Sequence, residues 1–298
     1  MVKNITSIGE ILWDVYPDRK RLGGAPFNFI YHVWKIHKRA NFISSIGNDE
    51  NGKEILDFLN GKNFPTDNII LDEDHPTGTV QVKLNEDKTP KFKISAECSY
   101  DYISLSDKTK KIIEAETEIL YFGTLSQRST VTRQTIQSLF NKNIKYFCDL
   151  NLRHDFFSKE MIEEALRTSN VVKVNSDELN KLIELFNLNS DHKKAMEQLN
   201  KTYNIDLLCV TQGGDGAMLY NGNELNSCKV ETKNIVDTVG AGDAYSAVLC
   251  IGYVKNMDIN KINKLANEFA SDMCSVEGAL PSDDSIYNKY IREFENDS

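Results

Sequence analysis

With 298 residues and a net charge of −9, the chain has no excess of Lys and Arg with which to neutralise a nucleic-acid backbone. That excludes a nucleic-acid surface but not a nucleotide held by local backbone dipoles. Hydrophobic residues at 40% and charged residues at 27% describe a globular chain, long enough for one large domain or two modest ones. No run approaches a membrane span and the first residues carry no apolar signal core, so a cytoplasmic protein that engages no membrane is expected.

Residues 4–15 read as a strand, Ile5-Thr6-Ser7-Ile8, continued by Gly9-Glu10-Ile11-Leu12-Trp13-Asp14. Asp14 then falls at the far end of an apolar stretch, where an open parallel sheet presents its ligand loops. Gly23-Gly24-Ala25-Pro26-Phe27-Asn28 opens a helix, with Pro26 suited to the first turn and the glycines permitting close approach of something small. Asn28 in that first turn is either a capping group or a two-way hydrogen-bonder for hydroxyls. Gly47-Asn48-Asp49-Glu50-Asn51-Gly52-Lys53 nearly spells a phosphate loop, but Glu54 replaces the Ser or Thr that would hold a metal, and Asp49 and Glu50 would repel phosphates. A strand over 41–46, a turn and a helix over 53–60 stopped by Gly61 explain it.

From 77 to 102 the period changes. Val80, Val82 and Leu84, then Phe92 and Ile94, alternate with polar residues around a turn over 85–90, which predicts an antiparallel hairpin with one apolar face. Such an insertion is a decorated edge, a lid or a dimer surface. Beyond it, strands near 119–122, 144–150, 171–174 and 207–210 alternate with helices near 130–140, 159–168, 177–186 and 192–203, which argues a parallel sheet between helices. Polar residues follow the strands: Asp149, Asn151 and Arg153; Asn175 and Glu178; Thr211, Gly213, Gly214 and Gly216. Singly each is an ordinary cap or turn, but together they fall at consecutive strand ends. The last third reads as helices over 242–255, 260–276 and 285–294. Six cysteines and five histidines show no metal-ligand spacing, and Cys148, Cys209 and Cys250 lie in apolar runs as small core residues.

Asp237-Thr238-Val239-Gly240-Ala241-Gly242-Asp243-Ala244 runs from turn chemistry into a helix of small and apolar residues. Gly240 and Gly242 permit a tight bend, and the amides of residues 240–243 would meet an anion at a positive helix end. A carboxylate in that turn is a common helix N-terminal residue, yet it would repel the same anion. Phosphoryl transfer reconciles the two: the turn holds the moving phosphoryl charge while Asp243 takes a proton from the attacking hydroxyl.

This stretch resembles the C-terminal signature of the ribokinase-like (PfkB) carbohydrate kinases, and Gly23-Gly24-Ala25…Asn28 resembles their N-terminal one. Gly9-Glu10…Asp14 and Asp149-Leu150-Asn151-Leu152-Arg153 are similar to the fructokinase-type branch, and the matches run in family order along nearly the whole chain. The resemblance implies a three-layer α/β sandwich with a mostly parallel central sheet, spanning 1–298 as one kinase domain. It adds a β lid over about 77–102 and 15–22, through which relatives often pair as homodimers. It implies an ATP-dependent kinase acting on a primary hydroxyl of a small sugar, with fructose first among acceptors. Ribose, 2-keto-3-deoxygluconate or adenosine, or a catalytically silent sugar-binding regulator on the same scaffold, are the alternatives. Asp14, Gly23, Gly24, Asn28 and Arg153 would bind the sugar. Asp243 would be the general base, with Gly240, Ala241 and Gly242 completing the anion hole. Thr211, Gly213, Gly214, Gly216 and Asn267 would contact ATP, and Asn175 with Glu178 would organise Mg²⁺ and phosphate through water. Asp237, Val239, Gly278 and Ser282 would neighbour a monovalent cation, K⁺ in many relatives. At the unperturbed carboxylate pKa of ~3.9, Asp243 would be ionised at neutral pH. Gln212 and Asp215 depart from the usual nucleotide loop, and Asp215 near phosphates is costly unless it faces solvent or a base. A nicotinamide dehydrogenase is excluded, because no Gly-x-Gly-x-x-Gly follows the first strand.

Overall fold

The alternation of strand and helix resolves into two sheets of very different size. A computed structural model describes residues 3–84, 90–230 and 234–296. In chain order the elements are β1 (Asn4–Ile8), β2 (Leu12–Val15), β3 (Lys20–Gly23), α1 (Ala25–His37), β4 (Ala40–Gly47), α2 (Glu50–Gly61), β5 (Ile69–Asp72), β6 (Gly78–Leu84) and β7 (Pro90–Ile94). Then follow α3 (Asp107–Glu116), β8 (Thr117–Phe122), α4 (Thr130–Ser138), β9 (Lys145–Asp149), α5 (Lys159–Thr168), β10 (Val171–Asn175), α6 (Ser176–Phe186), α7 (His192–Tyr203), β11 (Leu207–Thr211), β12 (Ala217–Tyr220) and β13 (Leu225–Cys228). Three helices end the chain: α8 (Ala241–Val254), α9 (Ile259–Met273) and α10 (Asn288–Glu295).

The central sheet has 9 strands in the order β13-β12-β11-β10-β9-β8-β1-β4-β5, with parallel pairing except at β11–β12 and β12–β13, where β12 runs against the rest. Each strand sends alternate residues to opposite faces. Tyr121, Phe147, Val171 and Cys209 join one core with α1, α8, α9 and α10. Leu120, Phe122, Cys148, Val172, Val174 and Val210 join a second core with α4 to α7. Because both faces are covered by helices, the strands read as continuous apolar runs. That is the expected sandwich. Among the described residues no helix is long and apolar enough to cross a membrane.

The second sheet, in the order β3-β2-β6-β7, corrects the expectation of one strand over 4–15. The chain leaves the central sheet after Ile8, turns through Gly9 and re-enters structure as β2, paired with β3 and β6. The apolar run conceals this switch because Ile8 and Leu12 feed one core while Ile5, Ile11 and Trp13 feed the other. Asp14 therefore stands on a strand of this second sheet, the candidate lid, opposite Arg21, and not at the end of a central strand. The hairpin appears as β6 and β7, with Val80 and Val82 buried; its turn falls largely outside the described residues. Residues 47–53 form the expected strand–turn–helix. Asp49 caps α2 through Gly52 N at 2.8 Å and also accepts from Thr77, which leaves that helix end no vacancy for phosphate. Gly61 ends inside α2, whose cap is Lys62.

Four elements lie outside the sequence reading: β5, α3, β12 and β13. Only Ile113 of α3 is buried, and β5 and β13 are half-buried four-residue strands, so these three carry no strong apolar period, whereas β12 is an apolar run of only four residues with Ala217 and Leu219 buried. The last helix is shorter than expected, since a 3₁₀ turn at Asp284–Tyr287 precedes α10.

Candidate active site

Helix α8 is buried nearly all round and packs against α1 and α9. Its N-cap, Gly240, has φ +77°, and a Cβ there would lie 2.5 Å from that of Ala279, so the bend is open only to glycine. No side chain caps this end, as at α1 and α10, whereas α2 to α7 and α9 each have a capping side chain. The end therefore presents its amides and dipole to the cavity beside it.

That cavity, about 560 Å³, lies between the strand ends of the central sheet and the lid, with Val80 and Ile94 of the lid on its wall. Asp243, Asp14 and Asn28 line it together, although α8, β2 and α1 are far apart in sequence. The Asn28 amide donates to Asp243 Oδ2 at 2.8 Å, fixing the carboxylate. Gly24, at φ +108°, leaves no room for a Cβ, which would lie 2.5 Å from the Glu10 carbonyl. A Cβ at Gly23 would meet Asp14 Oδ2 at 2.7 Å, so this pair of glycines makes space for the Asp14 carboxylate and the chain turn above it.

Arg153, Asn175, Glu178, Thr211, Val239, Gly240 and Gly242 also border the cavity. Ala241 lies within the same turn. Asn175 and Glu178 form a reciprocal capping box at the start of α6, and Glu178 Oε1 further accepts from Leu152 N at 2.7 Å. Glu178 thus ties the 149–153 loop to α6, and its oxygens already hold main-chain donors. Gly213 and Gly214 lie in an exposed 3₁₀ turn beyond β11, where a Cβ would meet nothing. Gly216, at φ +86°, lets β12 approach β13, since a Cβ would sit 2.0 Å from the Cys228 carbonyl. Asn267 is buried against Asn263, which bonds in turn to Ala217 and Tyr245 behind that loop. Asp215 faces solvent and pairs with Lys229 at 2.7 Å, which removes the expected conflict with phosphates. Asp237 and Gly278 lie behind the Gly240 turn, joined by a 3.1 Å hydrogen bond, and Ser282 is exposed.

Lys173 is the main residue the sequence reading missed. It stands mid-strand in β10, in register with Asp149 of β9, and the two pair at 2.7 Å with both side chains buried. Asp149 Oδ2 also accepts from the hydroxyls of Ser246, at 2.9 Å, and Tyr121, at 3.2 Å. The Lys173 ammonium lies 3.4 Å from where a Gly242 Cβ would be, directly beneath the turn that opens α8. A lysine inside the apolar run Val171-Val172-Lys173-Val174 was the available signal, because buried charge requires a partner. Glu10, buried on the cavity wall, is the second omission.

The carboxyl groups here hold protons more tightly than usual. Burial raises Asp243 to about 7; the Asn28 hydrogen bond opposes this, Asp149 adds to it, and Lys173 and Arg153 pull the other way. Burial likewise raises Glu10 to about 7 and Asp14 to about 6, with Arg153 pulling both down. The expectation of an Asp243 ionised at the unperturbed value is corrected accordingly: burial moves its titration up toward neutral pH.

Comparison with known proteins places this geometry. The model of the pfkB family carbohydrate kinases matches residues 7–285. An uncharacterized sugar kinase of Pyrococcus horikoshii is 29% identical over 314 residues, covering 97% of this chain and 96% of that one. Its structure in complex with ATP superposes with a TM-score of 0.81 over 97% of this chain and 99% of that one. An ATP-dependent 6-phosphofructokinase of Thermoanaerobacterium thermosaccharolyticum is 26% identical over 96% of this chain and 94% of its own length. The fold is shared with fructokinase from Xylella fastidiosa with bound ATP, at TM-score 0.85 and 20% identity over 99% and 100% of the two chains. The chain belongs to the pfkB family of carbohydrate kinases.

Proposed function

We propose, from that family membership, that the chain transfers the γ-phosphoryl group of ATP to a primary hydroxyl of a small sugar, with fructose the leading acceptor. The observation that carries this reading is the Asp243 carboxylate, held by Asn28 at 2.8 Å in one cavity with Asp14, beside a helix end that no side chain caps. Asp14 and Asn28 are suited to fix sugar hydroxyls, and Arg153 faces the same space. The acceptor hydroxyl would lie against Asp243, which takes its proton as the phosphoryl group arrives. Backbone amides of the 240–243 turn, with the Lys173 ammonium beneath, would stabilise the transferring charge; losing comparable donors costs about 10²–10³ in rate. Catalysis of this kind is mainly alignment and charge stabilisation.

Thr211 and the 213–216 turn provide the open side on which the nucleotide would lie. Mg²⁺ would come with the nucleotide phosphates and add charge neutralisation there. Glu178 and Asn175, engaged in their capping box, are suited to meet it through water and not directly. Among the described residues no cluster of three His, Cys, Asp or Glu side chains could hold a metal by itself. Closure of the lid would exclude water as a competing acceptor. Pairing of two copies along the lid and a cytoplasmic location belong to the same reading.

The test is ADP release by purified enzyme with ATP, Mg²⁺ and a panel of fructose, fructose 6-phosphate, ribose, 2-keto-3-deoxygluconate and adenosine. Turnover is expected with fructose above all. Turnover with none would leave the sugar-binding regulator as the better reading.

A further inference from the structure

The turn that leads into Gly240 is held by a side chain from the lid. Arg21, on β3, donates through Nη1 to Asp237 Oδ2 at 3.0 Å and through Nη2 to Glu277 Oε1. Asp237 Oδ2 also accepts from Gly278 N at 3.1 Å, and Oδ1 accepts from Val239 N at 3.0 Å. The Arg21 and Asp237 side chains are each 20% exposed, so this is not a loose surface pair. The arginine stem lies along Gly278, whose Cβ would be 3.5 Å from Arg21 Cδ, and the guanidinium carbon lies 5.5 Å from the centre of the Tyr16 ring. Behind the turn, Val236 N and Asp237 N both donate to the Cys274 carbonyl, at 2.8 and 3.2 Å.

A resident monovalent cation at this junction would be held mostly by carbonyls near Asp237, Val239, Gly278 and Ser282, with the Asp237 carboxylate the one negative charge among them. Here that carboxylate already accepts three hydrogen bonds, one of them from a permanently charged guanidinium. A second positive charge on the same oxygens would face Arg21 across them. The residues present fit an arginine and do not fit a potassium ion.

We propose that Arg21 is the built-in cation of this junction: it neutralises Asp237, positions the turn that opens α8, and makes the rate independent of K⁺. The proposal rests on the kinase reading above only for its activity arm. It makes Arg21 a positioning residue, since it acts on the phosphoryl-binding turn through Asp237.

The experiment exchanges tetramethylammonium chloride for potassium chloride at constant ionic strength, following both ADP release and thermal melting. With screening held constant, the wild-type rate is expected to change by less than about twofold, and potassium is expected to leave its Tm unmoved. Arg21→Ala is expected to lose about 10- to 100-fold in kcat/KM through misplacement of the turn. Potassium should restore part of that loss and raise the variant's Tm, because an ion that binds only the folded state stabilises it. Arg21→Lys, which keeps a positive charge, should stay insensitive to potassium and serves if the alanine variant does not fold. A wild-type enzyme activated several-fold or stabilised specifically by potassium would overturn the proposal. So would an Arg21→Ala loss that potassium does not restore, which would reduce Arg21 to a structural tie. Absence of turnover with every sugar would defeat the kinase reading instead, while the melting arm would still decide the cation.

Discussion

The pairs Lys173–Asp149 and Lys229–Asp215 have the same length, 2.7 Å, and opposite meaning. Lys173 and Asp149 are 8% and 3% exposed, beneath the turn that opens α8. Lys229 and Asp215 are 64% and 78% exposed, beside the glycine turn that follows β11. Distance alone would rank them equal. Burial separates them: the inner pair cannot fall back on water, so each member depends on the other and on the hydroxyls of Ser246 and Tyr121. The outer pair is screened and replaceable. The cavity follows the same division, with a floor of buried polar groups around Asp149 and Lys173 and an exposed glycine turn at 213–214 beyond β11.

Breaking the inner pair gives the largest expected change in stability. Lys173→Met leaves Asp149 a buried carboxylate with two hydroxyl donors but no counter-charge, and removing one member of such a pair typically costs about 3–5 kcal/mol. A large fall in Tm and in the denaturant midpoint is expected, together with loss of turnover, since the ammonium also lies under Gly242. A change of only a degree or two would mean that Asp149 does not depend on the ammonium as described.

The pH profile sharpens the comparison with a smaller effect. Asp243 must be ionised to accept a proton, and its pKa stands near 7, so the rate should fall about tenfold per unit at pH values well below 7. Stability moves in the other direction. Asp243 and Glu10 bind protons more tightly when folded than unfolded, so their contribution is full below their unfolded values of 3.8 and 4.5 and is lost as pH rises through about 7. Denaturant titrations across that window, with Asp243→Asn as the control that removes one titrating group, would detect the slope. A rate independent of pH down to 5 would contradict the raised value. The outer pair should matter least: Lys229→Ala is expected to leave kcat unchanged and to alter the KM for ATP by less than about twofold, as for other exposed ion pairs.

The same division explains what the sequence disclosed. Gly240, Gly242 and Asp243 were legible because a turn, a helix start and a carboxylate are local chemistry, spelled within a few adjacent residues. The parallel sheet was legible because its strands are short apolar runs between amphipathic helices. Lys173 was hidden, since its pairing is set by the register of β10 on β9, which strand composition does not reveal. Glu10 and the true placement of Asp14 were hidden by the passage from the central sheet to the lid, where apolar residues continue without interruption. The contact of Asn28 with Asp243 spans 215 positions and depends on α1 and α8 packing side by side. Arg21 escaped notice for the same reason, as its partners Asp237 and Glu277 are distant in sequence and meet it only across the folded junction.

The most direct measurement compares the wild type with Asp243→Asn in calorimetric sugar binding and in single-turnover phosphoryl transfer, using whichever sugar of the panel the wild type turns over. The amide can still share a hydrogen bond with Asn28 but cannot take the proton. Sugar affinity is therefore expected to stay within a few-fold, while transfer falls by about 10²–10⁴, the range a positioned general base supplies. Transfer at near wild-type rate by Asp243→Asn, with sugar still bound, would contradict the assignment of that carboxylate as the base.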